Sequence, residues 1–213
     1  MSSSDPPARQ RLRLVADRDV LREMPDEDLM MGHRDGDSEC FEILVDRYRG
    51  RIFSFLMRMG FRPARAEELA ADVFLKVHRA APRYEPTAKF STYLYTVARR
   101  AGLNAHDRLA ARLEVATGGH ELDNGPARHV DAERQLAAKR SVALLDEELA
   151  KLSEGHRAAF TLYYGQGLSC ADVAVALEIS SAEAKGRLAY ARKLLRQRLS
   201  GRVPEATSPE NRK

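Results

Sequence analysis

The chain has 213 residues, 44% of them hydrophobic and 31% charged, and its 35 Lys and Arg against 31 Asp and Glu leave a net charge of only +4. That balance excludes wholesale disorder, and the length suits two small domains better than one large one. No run of about 18 apolar residues and no apolar signal-peptide core occurs, which excludes membrane insertion and points to a cytoplasmic protein.

Residues 1–25, rich in Ser, Pro and Arg near their start, read as a disordered tail. From Pro25 onward apolar residues recur at spacings of three and four, and no run alternates as a half-buried strand does, so the fold class is all-α. A first short helix follows Asp26 and ends near Gly36. A second runs from Ser38 to about Met59 with Phe41, Leu44, Val45, Tyr48, Ile52, Phe55, Leu56 and Met59 as its stripe, and Gly60 stops it. Pro63 opens a third, in which Leu69, Val73, Phe74 and Val77 share a face before Pro82 ends it. A fourth runs from Phe90 to about Leu109, with Phe90, Leu94, Val97 and Ala101 turned to the core. The breakers Thr117-Gly118-Gly119 and Asn124-Gly125-Pro126 then mark a domain boundary, which divides the chain into a domain over 26–112, a flexible linker over 113–130 and a second domain over 131–200. Helices resume near Asp131 and run to Leu152, from Ser153 to Tyr164, from Ser169 to Leu177 and from Ser181 to Leu199. Residues 201–213 read as a second disordered tail.

Ser169 with Asp172, and Ser180 with Glu183, have the spacing of capping boxes and start two helices joined by the short break Glu178-Ile179-Ser180. Two capped helices on a tight turn make a helix-turn-helix. Ala174 and Ala176 allow close approach, and Val173, Leu177, Ile179, Ala184 and Leu188 form the small core between them. The second helix carries Lys185, Arg187, Arg192, Lys193, Arg196 and Arg198 against the single acid Glu183, a pattern suited to DNA, with the first turns in the major groove and later cations on phosphates. A solvated basic face is the plainer alternative.

The run from Gly167-Leu168-Ser169 through Lys185-Gly186-Arg187-Leu188 to Arg196 resembles region 4 of the extracytoplasmic-function sigma factors, a family of RNA polymerase subunits. Upstream, Gly36-Asp37 with Phe41, Ala66-Glu67-Glu68-Leu69 through Val77, and Phe90-Ser91-Thr92-Tyr93-Leu94 with Val97-Ala98-Arg99 are similar to sigma region 2. The resemblance implies a subunit that joins core RNA polymerase, at the clamp of the largest subunit and the flap of the second-largest. It also implies that the C-terminal domain reads the −35 promoter element and the N-terminal domain recognises and opens the −10 element. An anti-sigma factor is a further expected partner. No cofactor, metal, catalytic residue or small-molecule substrate is expected.

On this resemblance, −35 contact falls to Ser181, Lys185, Arg187, Tyr190, Arg192 and Lys193. Capture of an unpaired −10 strand needs rings interleaved with cations, and Arg83, Tyr84, Lys89, Ser91, Tyr93, Arg99, Arg100, Asn104 and Arg108 supply both. Phe90 heads the core face, whereas Tyr84 and Tyr93 suit packing and nucleic-acid contact equally. Polymerase binding falls to Glu67, Glu68, Leu69, Asp72, Val73 and Phe74, although Val73 and Phe74 also fit a role inside the domain. The linker acids Glu114, Glu121, Asp123, Asp131 and Glu133 suit a mimic of RNA charge, with plain solubilising charge the simpler account. Ala71, Tyr93 and Arg100 depart from the family's frequent Gln, Trp and Asn, and Gly186 and Ala189 shorten the recognition helix.

The competing reading is a free-standing helix-turn-helix regulator that binds an operator as a dimer. It calls for a dimer surface or an effector pocket, and the N-terminal domain shows neither a heptad run nor a ligand pattern. A nucleic-acid enzyme fits less well, since the six His are scattered and no paired-carboxylate or phosphate-loop pattern accompanies them.

Overall fold

The computed structural model describes residues 18–115 and 133–200, with side chains over 18–108 and 141–200. Among these residues every regular element is helical. α1, described over residues 18–23, is followed by α2 (Asp26–Arg34), α3 (Ser38–Arg58), α4 (Pro63–Ala80), a 3-10 turn (Ala81–Arg83) and α5 (Phe90–Val115). The C-terminal half holds α6 (Glu133–Ala150), α7 (Glu154–Phe160), a π-helical turn (Thr161–Gly165), α8 (Cys170–Leu177) and α9 (Ser181–Leu199).

Two boundaries differ from the sequence expectation. Residues 18–23 of the expected N-terminal tail are helical, because Leu21 and Met24 pack on the core and the Arg47 guanidinium donates to the carbonyls of Arg22 and Met24. Helix α5 continues past Leu109 to Val115 and takes the first three positions of the expected linker; the remainder of that linker, 116–130, and both outer tail segments, 1–17 and 201–213, lie outside the described residues.

The N-terminal domain packs α2, α3, α4 and α5 around Leu29, Met30, Leu44, Ile52, Phe55, Leu56, Val73, Val77, Phe90, Leu94 and Tyr95, all closed to solvent. Edge-on ring contacts of Phe55 with Tyr95 (5.4 Å) and Tyr48 with Phe90 (5.7 Å) fix α5 against α3. The Phe90 N–H donates to Glu27 Oε1 at 2.6 Å, so an acid of α2 caps the positive end of α5 and sets where it starts.

In the C-terminal domain Val173, Leu177, Ala184 and Leu188 are buried between α8 and α9, with Ile179 packed alongside, as the motif requires. The Ser169–Asp172 box is complete. At α9 only half of the box forms: Ser180 Oγ accepts from the Glu183 N–H at 3.1 Å, while the Glu183 carboxylate takes Arg187 instead of returning to the cap. A second cluster of Leu149, Leu152, Ala191 and Leu195 holds α6 against the far side of α9.

The two domains are not held apart. One apolar cluster runs from Leu29 through Ala98 and Ala105 to Ala159, Leu162, Val173 and Leu188, and α5 packs on α4 and on α8.

At the outer edge of the N-terminal domain, His33 Nε2 meets His78 Nδ1 at 2.9 Å and the His33 ring stacks on Phe41 at 4.5 Å. Burial lowers the pKa of His33 from its ordinary 6.5, with the Asp37 backbone and charge opposing and the His78 charge assisting. A lowered folded-state pKa means that its contribution is present above pH 6.5 and is lost as pH falls below it. Urea midpoints measured at pH 7.5 and 5.5 should therefore drop in the wild type, and His33→Gln should drop less.

Candidate nucleic-acid interfaces

Every cation expected to hold a −10 strand rides on α5 or on the loop that leads into it. Arg83 and Lys89 are exposed on that loop, and Arg100, Asn104 and Arg108 follow at intervals of four along one exposed stripe of α5. Arg99, one position off the stripe, is largely covered. Ser91 and Tyr93 are half-buried at the start of the helix. The stripe from Arg100 to Arg108 runs about two helical turns, and the loop cations lie beyond the start of the same helix.

The rings behave differently. Tyr84 is only 7% exposed and sits against Phe90 and Tyr93, at 6.3 and 5.7 Å between ring centres. Desolvation pushes its phenol up to about 12, and its hydroxyl lacks a hydrogen-bond partner. Tyr84 is thus a wall of the domain, not a free platform for a base, and of the two rings only Tyr93 keeps a partly open face. Tyr95, which interleaves with these cations in sequence, is wholly buried and donates from its hydroxyl to Gln166 Oε1 at 2.6 Å.

Three of the cations are already occupied. Lys89 Nζ lies 3.0 Å from Asp172 Oδ2, Arg100 bonds Glu178, and Arg99 stands 4.0 Å from both Glu154 and Glu178. All three acids belong to the C-terminal domain. Desolvation pushes Asp172 up, but hydrogen bonds from Ser169 and Lys89 outweigh it and hold the carboxyl below the usual range. Arg100, through its hydrogen bond and then its charge, lowers Glu178 in the same sense.

Further arginine contacts, to neutral groups and to one more acid, reinforce this seam. The π turn swings Gln166 inward, where its side-chain oxygen also accepts from Arg51 Nε (3.2 Å) and its backbone oxygen from Arg51 Nη2 (2.7 Å). Arg157 Nη2 donates to the Met59 carbonyl at 3.3 Å, and Arg58 Nε meets Asp146 at 3.1 Å. A cleft of about 390 Å³ between Asp46, Arg47, Arg51, Arg58 and Gly165 opens along one rim.

Sequence reasoning saw Glu178 only as part of a break between helices. It ends α8 in the left-handed conformation at φ 55°, where Gly or Asn is usual and another side chain costs about 1 kcal/mol. That strained backbone aims the carboxylate at the two arginines.

Helix α9 presents its cations unevenly. Ser181, Lys185, Arg192 and Lys193 are exposed, with Lys193 on a central strip whose other members, Ala182, Gly186 and Ala189, are small. Tyr190 is 51% exposed and its ring lies 4.7 Å from His156. Arg187 is engaged within its own domain: it bonds Glu183 at 2.5 Å and lies so close over Gly155 that a Cβ there would meet Nη1 at 2.4 Å. Its guanidinium thus helps to pack α9 on α7, and its side chain keeps 25% of its surface open.

On α4, Glu67, Glu68 and Asp72 form an exposed acidic edge, with Glu68 paired to Arg65 at 2.7 Å. Leu69, Val73 and Phe74 are buried in the domain and so cannot form part of that surface. The apolar residue on the edge is Leu75, 45% exposed, which the sequence reading passed over; its place off the Leu69, Val73 and Val77 stripe is the signal that could have found it.

The Sigma-70 region 2 family matches residues 44–112 and the Sigma-70, region 4 family matches residues 143–195. RNA polymerase sigma factor CarQ of Myxococcus xanthus is 34% identical over 160 residues, which cover 72% of this chain and 86% of that protein. The chain belongs to the extracytoplasmic-function RNA polymerase sigma factors. ECF RNA polymerase sigma factor SigK of a Mycobacterium species (strain KMS) is 33% identical over 184 residues, covering 83% of this chain and 82% of that one. Among solved structures, the sigma factor RpoE in complex with the anti-sigma factor NepR from Bartonella quintana superposes with a TM-score of 0.64 at 19% identity, over 76% of this chain and 97% of that one, and shares the fold. The sigma factor is thus a subunit that directs core RNA polymerase to promoters and begins DNA-templated transcription. It belongs among initiation factors, not enzymes, and the dimeric operator-binding regulator is not favoured. No helix among the described residues is long and apolar enough to cross a membrane.

The burial of Tyr84 separates its ring from its hydroxyl. Tyr84→Phe removes an unpaired buried hydroxyl and should leave the unfolding free energy unchanged or raised, while Tyr84→Ala should cost about 3 kcal/mol or more by urea titration. Loss of stability in Tyr84→Phe equal to that in Tyr84→Ala would show that the hydroxyl, not the ring, holds the site.

Proposed function

We propose that the sigma factor reads the −10 element with the loop before α5 and the stripe Arg100, Asn104 and Arg108, and the −35 element with the exposed face of α9. The observation that carries this reading is the placement of two cationic surfaces on separate helices, each backed by its own packed face. On α5, Arg83, Lys89, Arg99, Arg100 and Arg108 hold the phosphates of the parted strand, and Tyr93 supplies the partly open ring beside them. On α9, Lys185, Arg192 and Lys193 contact phosphates and base edges, with Ser181 and Tyr190 at the margins. The bare strip of Ala182, Gly186 and Ala189 lets the helix settle close to the groove.

The acidic edge of α4 with Leu75 at its centre docks on the clamp of the largest polymerase subunit, helix against helix. The C-terminal domain meets the flap of the second-largest subunit. An anti-sigma factor is a partner of this chain as it is of the neighbours of the same fold, and the protein works in the cytoplasm beside the polymerase. Core polymerase supplies all the chemistry.

Run-off transcription from a genomic library with purified core enzyme tests the whole reading: transcripts should depend on both components, whereas tight operator binding without core-dependent transcripts would sink it. On a promoter so identified, Lys185→Ala with Lys193→Ala should lower transcription about tenfold. Arg108→Ala should impair opening on duplex DNA and recover on a premelted template. A Leu75→Asp variant should lose affinity for core polymerase without losing its fold.

A further inference from the structure

The recognition helix does not shape its DNA face alone. We propose that His156, in the first turn of α7, fixes the orientation in which Tyr190 meets the −35 element and so helps to set which −35 sequence is preferred. The proposal rests on the assignment of α9 to that element.

The faces of α9 show why Tyr190 needs a support. Ala184, Leu188, Ala191 and Leu195 are buried in the domain, and Ala182, Gly186 and Ala189 form the bare outer strip. Tyr190 stands one turn on from Gly186 and borders that strip on the flank turned to α7, with Arg187 beside it. At 51% exposure it is the largest open side chain on the helix. A half-exposed ring with free choice of rotamer pays for its ordering whenever it binds. A ring already held against a neighbour avoids that loss.

His156 is that neighbour. Its ring centre lies 4.7 Å from that of Tyr190, with the planes 44° apart. The imidazole is itself fixed, because Ser153 Oγ is hydrogen-bonded to His156 Nδ1 at 2.6 Å. Ser153 is the N-cap of α7, where a serine ordinarily accepts from a free amide of the first turn, yet its side chain makes no cap bond. The hydroxyl is given to the ring instead. Next to His156, Gly155 leaves the space that the Arg187 guanidinium fills, where a Cβ would meet Nη1 at 2.4 Å. One turn of α7 therefore seats both side chains on this flank of α9. The open face of the Tyr190 ring suits a thymine methyl, and its hydroxyl suits a base edge or phosphate. His156 acts through Tyr190 and is a positioning residue.

The test uses the complete sigma factor with core polymerase, on the promoter found by run-off transcription and on a set with single-base changes across its −35 element. The readout is discrimination, the ratio of transcription from the parent promoter to that from each changed one. His156→Ala should lower discrimination about fivefold, at the same base positions as Tyr190→Ala. The double variant should be no worse than Tyr190→Ala alone. His156→Phe, which keeps a ring beneath Tyr190, should return discrimination to within about twofold of wild type.

Urea midpoints are measured alongside. If His156→Ala weakens every −35 sequence alike, in step with a lower midpoint, its role is structural and the proposal is overturned. Losses that add in the double variant would show His156 acting on DNA by itself, and failure of His156→Phe to rescue would show that no ring platform is needed; either result also overturns it. If Tyr190→Ala leaves discrimination intact while Lys185→Ala with Lys193→Ala lowers transcription, the positioning role falls and the assignment of α9 stands. If none of these variants alters use of the −35 element, the assignment of α9 falls as well.

Discussion

Helix α5 has to satisfy two sets of neighbours at once, and the arrangement of the protein follows from that constraint. Its apolar residues Phe90, Leu94, Ala98, Ala101 and Ala105 close the core built with α2, α3 and α4, while α8 packs on it from the C-terminal domain. Only a narrow stripe is left for function. Arg100, Asn104 and Arg108 share that stripe because i, i+4 positions lie one above another on a helix face, and the exposed Asp107 borders it. Glu27 on the Phe90 amide fixes the first residue of the helix, and so the phase of every position after it. A shift of one residue would bury the cations and expose the alanines.

The helices themselves were legible because each has a stripe of period 3.6 and a visible stop. Gly60, Pro63 and Pro82 punctuate the first domain, and Ser169 and Ser180 start the last two helices where their side chains cap the free amides. The helix-turn-helix core was readable to the residue, since Val173, Leu177, Ala184 and Leu188 are constrained by two short, capped elements. What the sequence hid lies between elements far apart in the chain. Nothing local to Arg187 says that Gly155 leaves room for its guanidinium, so it counted as free positive charge. Tyr84 carries the same composition signal whether its ring faces water or Phe90, and only the fold decides. Gln166 and Glu178 looked like loop residues because their partners, Tyr95, Arg51 and Arg100, are some seventy or more positions away.

The seam and the recognition helix use charge in opposite ways. In α9 the cations outnumber the acids, and attraction to DNA rests on counterion release, which weakens as salt rises. In the seam Arg58, Lys89, Arg99 and Arg100 each stand by an acid, so charges there are offset pair by pair and the geometry of individual pairs matters more than total charge. The modest +4 of the whole chain conceals this division. A protein with this overall balance binds DNA weakly as a free body, and gains most from being held beside its target by a larger assembly.

The π-helical turn at Thr161–Gly165 adds one residue to what would otherwise be a regular end to α7. An extra residue in a helix rotates everything beyond it by about a quarter of a turn or more. The turn therefore works as a phase adjuster, bringing Gln166 round to Tyr95 and carrying α8 and α9 with it as a unit. Because α9 also packs on α6 and α7, which precede the turn, a one-residue insertion or deletion here would set the chain's phase against that packing, so the length of this turn is tied to the seat of the recognition helix.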